Sequence, residues 1–222
     1  MPAPPLGWPT MGAGPSRQTS CTRALLVPVK AFADGKQRLA PVLTPAERAT
    51  LVKAMAATVL DAAGGLRVAV VCDDEEVRAW AEDHGAEAIW TPDLGLNGAV
   101  AAGVAHLGSR GVDRVVVAHA DLPLADDVAF VAATDGVSLV PDRRRDGTNV
   151  LCVPATAGFE FAYGAGSFAR HRAEAARLGL TTRLIADERL GWDVDLPDDL
   201  AIPADLQPPA YLSLPSPAPS GS

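Results

Sequence analysis

The chain has 222 residues, 48% of them apolar, and a formal net charge of −8 at pH 7. That length supports one domain with a single sizeable core, and the negative charge excludes a nucleic-acid partner, because phosphate backbones are bound by clustered Lys and Arg. The three cysteines, Cys21, Cys72 and Cys152, are scattered without C-x-x-C spacing, which excludes a structural zinc site and fits a reducing cytoplasm.

Residues 1–22 are rich in Pro, Gly and Ser, and residues 203–222 share that character. Both read as disordered tails around a domain at 23–202. The start lacks the charged and apolar regions of a signal peptide, and no apolar run reaches the roughly 18 residues of a membrane span.

Inside the domain, Ala24 to Lys30 reads as an apolar strand, followed by a loop over 31–44. Thr44, Pro45 and Glu47 make a helix start, with Thr as cap, Pro at the first position and Glu three residues after the cap. That helix runs to about Ala63 and stops at Gly64 and Gly65. A strand at Arg67 to Cys72, a helix at Asp74 to His84 ended by Gly85, and a strand at Ala86 to Trp90 come next. A loop over 91–98 leads into a helix at Ala99 to Leu107, and a strand centred on Val115 follows. The second half reads as a short helix at 126–133, strands at 137–140 and 148–154 around a polar turn, a helix from Ser167 to about Leu178, a late strand at 180–185 and a short helix at 197–200. Alternating strands and helices imply parallel βαβ units with right-handed crossovers. The expected fold is a doubly wound α/β domain with a mostly parallel central sheet flanked by helices.

The strand centred on Val115 ends abruptly in His119, Asp121 and Pro123. Ligands of open α/β sheets bind outside the carboxyl ends of the strands, so Asp121 stands where a ligand would lie, although one Asp there serves equally well as a helix cap. A second acidic cluster, Asp193 and Asp195, strengthens the case. Alternation along a strand puts both on one face with Val194 opposite; capping of the helix after Pro197 is the plainer use for either. Magnesium takes oxygen ligands, through one or two carboxylates plus substrate phosphates, and Asp121, Asp193 and Asp195 are candidates to hold it.

Lys30, Lys36 and Arg38 follow the first strand, and Gly35 lets backbone approach a polyphosphate closely; a solvated surface loop is the competing explanation. There is no G-x-x-x-x-G-K-[ST] and no G-x-G-x-x-G, so neither a P-loop nor a dinucleotide fingerprint is present. Asp142, Gly147, Thr148 and Asn149, with Gly164 and Ser167 at a helix start, form a possible phosphate or carboxylate pocket, to which Arg170 and His171 add charge. An ordinary turn and cap explain the same residues. His119 reads as a hydrogen-bonded residue beside a buried strand, Trp80, Trp90 and Phe130 as core, and Arg143 to Arg145 as a solvated turn.

The run Val27-Pro28-Val29-Lys30 with Lys36, Arg38 and Leu39, then Leu96-Asn97, His119-x-Asp121-x-Pro123, Asp142-x4-Gly147-Thr148-Asn149, Gly164-x-x-Ser167-Phe168-x-x-His171 and Asp193-x-Asp195-x-Pro197, resembles one family over about residues 24–200. That family is the 2-phospho-L-lactate / phosphoenolpyruvate guanylyltransferases of coenzyme F420 biosynthesis. The resemblance implies a single-domain, Rossmann-like nucleotidyltransferase fold, of the nucleotide-diphospho-sugar transferase kind, similar to that of the molybdenum-cofactor guanylyltransferases. It also implies a cytoplasmic reaction of GTP with a phosphorylated three-carbon acid, with Mg2+ held by the catalytic residues Asp121, Asp193 and Asp195. Thr148, Gly164 and Ser167 would bind the acid, while Pro28, Lys30, Lys36, Arg38, Leu96, Asn97 and Gly98 would line the nucleotide side. In one departure, the loop reads Asp34-Gly35-Lys36-Gln37-Arg38 where the family often has a small residue and Ser or Thr around the lysine. A D-x-D glycosyltransferase, a related nucleotidyltransferase with another acceptor, and an inactive GTP-binding module are the alternatives.

Overall fold

Helix α1 (Pro45–Asp61) starts as its sequence requires: Thr44 Oγ1 accepts from Glu47 N–H, and the Glu47 carboxylate accepts from Thr44 N–H at 2.7 Å. Such reciprocal capping satisfies two of the donors that every helix start leaves open. The computed structural model describes residues 22–212. Residues 1–21 of the expected tail at 1–22, and the residues from 213 onward, lie outside that range.

Seven strands form one sheet in the order β3-β2-β1-β4-β6-β5-β7. Strands β1 (Arg23–Pro28), β2 (Arg67–Cys72), β3 (Glu87–Trp90) and β4 (Arg114–Ala118) are parallel. Strand β6 (Thr148–Pro154) runs antiparallel between β4 and β5 (Val137–Pro141), and β7 (Thr182–Leu184) lies parallel to β5 at the edge. Helices α1 and α2 (Glu75–Asp83) cover one face through a core containing Leu25, Val27, Val59, Val77 and Val116. On the other face, α3 (Gly95–Ser109) packs on Leu26, Val71, Val115 and Val117, and α4 (Ser167–Arg177) lies over β5 and β7. Alternate residues of one strand thus face opposite layers, and β4, buried along its whole length, reads as a plain valine run for that reason. At Gly103 an added Cβ would lie 2.6 Å from Val71 and 2.8 Å from Leu26, so this glycine sets how closely α3 approaches the sheet.

Three expectations change. Helix α3 begins at Gly95, so Leu96, Asn97 and Gly98 form its first turn and are not part of a loop. Trp90 is 44% exposed and is no core residue. The chain from Pro203 to Leu212 packs on the domain: Leu212 is buried beside Met55 and Val194, Tyr211 O–H donates to Pro123 O, and Arg189 Nη1 donates to Leu206 O. Proline content misled there, because Tyr211 and Leu212 supply enough apolar surface to anchor the segment. Among the described residues, no helix is long and apolar enough to cross a membrane.

Candidate active site

Sheet order decides where the site lies. The chain leaves β1 toward β2 and β3, then returns to place β4 on the other side of β1. The carboxyl ends of β1 and β4 therefore splay the following loops apart and leave a crevice between them. A cleft of about 430 Å³ opens there, lined by Pro28, Lys30, Lys36, Arg38, Leu96, His119, Asp121 and Asp195 among others. A smaller hollow of about 80 Å³ adjoins it over the ends of β2 and β3, sharing Pro28, Lys30 and Leu96 and adding Cys72, Asp73 and Thr91.

The loop after β1 turns on Lys36, which has φ 52° between two short 3-10 turns. Gly35 lines the cleft and also lets the loop sit close to α1, since an added Cβ would stand 2.7 Å from Val52. The turn points Lys36 Nζ back at the acids, 2.5 Å from Asp121 Oδ2 and 2.8 Å from Asp195 Oδ1. Burial by itself lowers the Lys36 pKa, but attraction to Asp121 and Asp195 outweighs it, and the net direction is upward. Burial likewise opposes ionisation of Asp121, and Lys36 and His119 more than offset it, so that pKa falls. Asp193 goes the other way. Burial, Asp121 and Asp195 raise its pKa, with hydrogen bonds from the backbone and then from Asn149 offsetting only part of that.

Asp193 to Asp195 is extended chain and no strand of the sheet, tied to the end of β4 by Val194 N–H donating to Asp121 O at 3.2 Å. The expected alternation holds: Val194 is fully buried between two partly exposed acids. Asp199, which the sequence reading passed over, shapes this segment. It is 2% exposed, accepts from the N–H groups of Asp195 and Leu196, and pairs with Arg143 at 2.6 Å. Its spacing after Leu196 and Pro197 is a capping signal legible in the sequence. Arg143 also lies 3.7 Å from the Trp192 ring centre, so the Arg143 to Arg145 run is anchored at one end and is no plain solvated turn.

Do these residues suit a divalent ion? All three carboxylates are hard oxygen donors of the kind magnesium takes, Asp121 Oδ1 is buried without a hydrogen-bond partner, and Asp193 is held among like charges. The donor set fits. As the chain stands, no three His, Cys, Asp or Glu side chains among the described residues are grouped to hold a metal. The Lys36 ammonium bridges Asp121 Oδ2 and Asp195 Oδ1 and leaves one oxygen of each carboxylate to other partners.

Thr148, Gly164 and Ser167 come together in a second group apart from the lining of that cleft. Thr148 and Ser167 are each 1% exposed. His171, one turn after Ser167 on the same face of α4, places Nδ1 3.1 Å from Thr148 Oγ1. Burial first, then Arg170 and His119, lower the His171 pKa to about 4, so this residue adds no charge at neutral pH. Part of the α4 N-terminus is taken internally, because Gly166 N–H donates to Asp146 Oδ2 and Phe168 N–H to Asp146 O. Asp142 accepts from the N–H groups of Asp146 and Gly147, which accounts for the Asp142-x4-Gly147 spacing. Arg170 donates to Ala162 O and Ala165 O and so holds the glycine loop. Asn97 and Gly98 lie outside the cleft lining, and Asn97 Oδ1 instead accepts from Tyr163 N–H at 2.7 Å. Tyr163 joins the two groups, its ring 5.0 Å from His119 and 4.8 Å from His171.

The model of the family described as guanylyl transferase, CofC-like, matches residues 23–202. A phosphoenolpyruvate guanylyltransferase of Sphaerobacter thermophilus is 40% identical over 185 residues, covering 79% of this chain and 89% of that protein. A 3-phospho-D-glycerate guanylyltransferase of Phenylobacterium zucineum is 34% identical over 186 residues, covering 78% and 85%. Among solved structures, a protein named as a nucleotide-diphospho-sugar transferase from Desulfovibrio desulfuricans superposes with a TM-score of 0.64 at 19% identity, covering 80% of this chain and 84% of that one. That last likeness concerns the fold, which is the mostly parallel sheet with flanking helices expected from the sequence.

Proposed function

We propose, from the premise that this chain belongs to the CofC-like guanylyl transferase family, that it condenses GTP with a phosphorylated three-carbon acid, phosphoenolpyruvate first among them. A phosphate oxygen of the acid attacks the α-phosphorus of GTP. The bond from that phosphorus to the bridging oxygen breaks, and pyrophosphate leaves. With phosphoenolpyruvate the product is enolpyruvoyl-2-diphospho-5'-guanosine, an intermediate class of coenzyme F420 biosynthesis.

The observation that carries this reading is the meeting of Lys36, Asp121 and Asp195 in one cleft between β1 and β4, with Asp193 near enough for both acids to raise its pKa. Asp121, Asp193 and Asp195 would hold Mg2+, which when bound supplies positive charge to the phosphate oxygens. Lys36, Lys30 and Arg38 add fixed cations on the nucleotide side, beside Pro28 and Leu96. The adjoining hollow over β2 and β3 extends the cleft and gives room for part of the nucleoside. Thr148, Gly164 and Ser167 orient the acid. No protein base is required, because the attacking phosphate is already anionic at neutral pH, and positioning with charge neutralisation carries the rate.

The deciding experiment is pyrophosphate release from GTP and Mg2+, with phosphoenolpyruvate, 2-phospho-L-lactate and 3-phospho-D-glycerate offered separately. Release with one of the three identifies the acceptor. Sugar transfer without pyrophosphate release would sink the reading in favour of a glycosyltransferase, and GTP binding with no turnover on any acid would favour the inactive module.

A further inference from the structure

Ala162 donates its backbone N–H to His171 Nε2 across 3.0 Å. An amide N–H is only ever a donor, so Nε2 must present its lone pair there. His171 is fully buried, its rotation is confined by Tyr163 edge-on at 4.8 Å and Phe159 at 5.9 Å, and the low pKa noted above keeps the ring neutral. The single ring proton therefore stands on Nδ1. Nδ1 lies 3.1 Å from Thr148 Oγ1, which makes the ring the donor and the hydroxyl oxygen the acceptor. A hydroxyl that accepts on one side keeps its own proton to give elsewhere.

We propose that His171 is a positioning residue that locks Thr148 as a hydrogen-bond donor, so that its hydroxyl offers the acid substrate a proton, the match for an oxyanion. The opposite tautomer would set N–H against N–H at Ala162, and its bare Nδ1 would take the Thr148 proton and leave only lone pairs for a ligand. A donor already turned toward the ligand binds an anion about twice as strongly as a neutral group, and it does so without reorganising on binding. The inference rests on the reading of Thr148 as an acid-binding residue.

Two substitutions separate the two bonds of the ring. The short amide of His171→Asn reaches the Nδ1 position and still donates to Thr148, while losing the bond from Ala162. The longer amide of His171→Gln reaches the Nε2 position and keeps the Ala162 bond, while losing Thr148. A residue of merely structural importance would suffer similarly in both. With phosphoenolpyruvate varied at saturating GTP, His171→Gln is expected to raise the KM for the acid roughly five- to tenfold above that of His171→Asn, with the KM for GTP equal in the two. Two-bond 1H–15N correlation of the histidine ring in the intact protein should show a protonated Nδ1 and a bare Nε2. A protonated Nε2, or equal acid KM values for the two variants, would overturn the lock. Thr148→Val is the control for the underlying assignment: an unchanged acid KM there, with the Nδ1–H signal intact, would remove the role of Thr148 in binding the acid and leave the tautomer itself standing.

Discussion

Lys36 and Asp121 stand 85 positions apart in sequence, yet Lys36 Nζ lies 2.5 Å from Asp121 Oδ2, and the same ammonium reaches Asp195. The pair occupies the place where substrate charge has to be handled. It makes Lys36 both a structural counterion and a competitor for any cation that seeks these acids.

Lys36→Met should therefore destabilise the protein while leaving its fold recognisable. The Lys36 side chain is 12% exposed and that of Asp121 20%, and removing one partner of such a pair costs on the order of 3 kcal/mol because the other charge is left unpaired. Urea unfolding at pH 7 checks this. A midpoint equal to that of the wild type would show that solvent already screens the pair.

The pH dependence has a sign on each side. Asp121 has its pKa lowered from 3.8, so its contribution is full above that value and is lost as pH falls through the folded-state pKa. Lys36 is raised from 10.5, so its contribution is full below that value and is lost as pH climbs through the folded-state pKa. Urea midpoints measured from pH 3 to pH 11 should fall at both ends, and Lys36→Met should flatten both limbs. Limbs of unchanged slope in that variant would assign the effect to other groups.

Asp193 behaves oppositely. Its raised pKa means that ionisation at neutral pH opposes folding. In EDTA, Asp193→Asn is expected to melt at a higher temperature than the wild type. With Mg2+ added, the wild type should gain stability in proportion to binding, whereas Asp193→Asn and Asp121→Ala should gain little and should lose turnover. A wild type that melts identically in Mg2+ and in EDTA, in the presence of GTP, would remove the metal assignment.

Asp199 anchors the acidic segment without facing the cleft lining. Asp199→Ala removes two acceptors for backbone N–H groups and the partner of Arg143, at a cost of about 3 kcal/mol. It should also lower kcat, since Asp195 loses its support. Stability loss with kcat intact would confine Asp199 to a packing role.

Much of the fold was legible because its signals are local. The capping box at Thr44 and Glu47, the stop at Gly85 and the valine run of β4 each act within a few residues. Errors arose where a distant contact overrode a local one. Leu96 to Gly98 read as loop because of Gly95 and Gly98, yet α3 starts there, with Asn97 tied to Tyr163. Arg143 read as solvated because its partner, Asp199, is 56 positions away.

The sequence by itself determined which segments are strands and helices, that the strands are mostly parallel, and that acids end one strand and recur in a later segment, all through spacing and side-chain type. Only the tertiary structure decided that Lys36 sits between Asp121 and Asp195, and that His171 is neutral and tethered to Thr148. Charge and tautomer depend on burial and on partners brought together by the order of strands in the sheet, and no spacing along the chain encodes which loops that order makes neighbours.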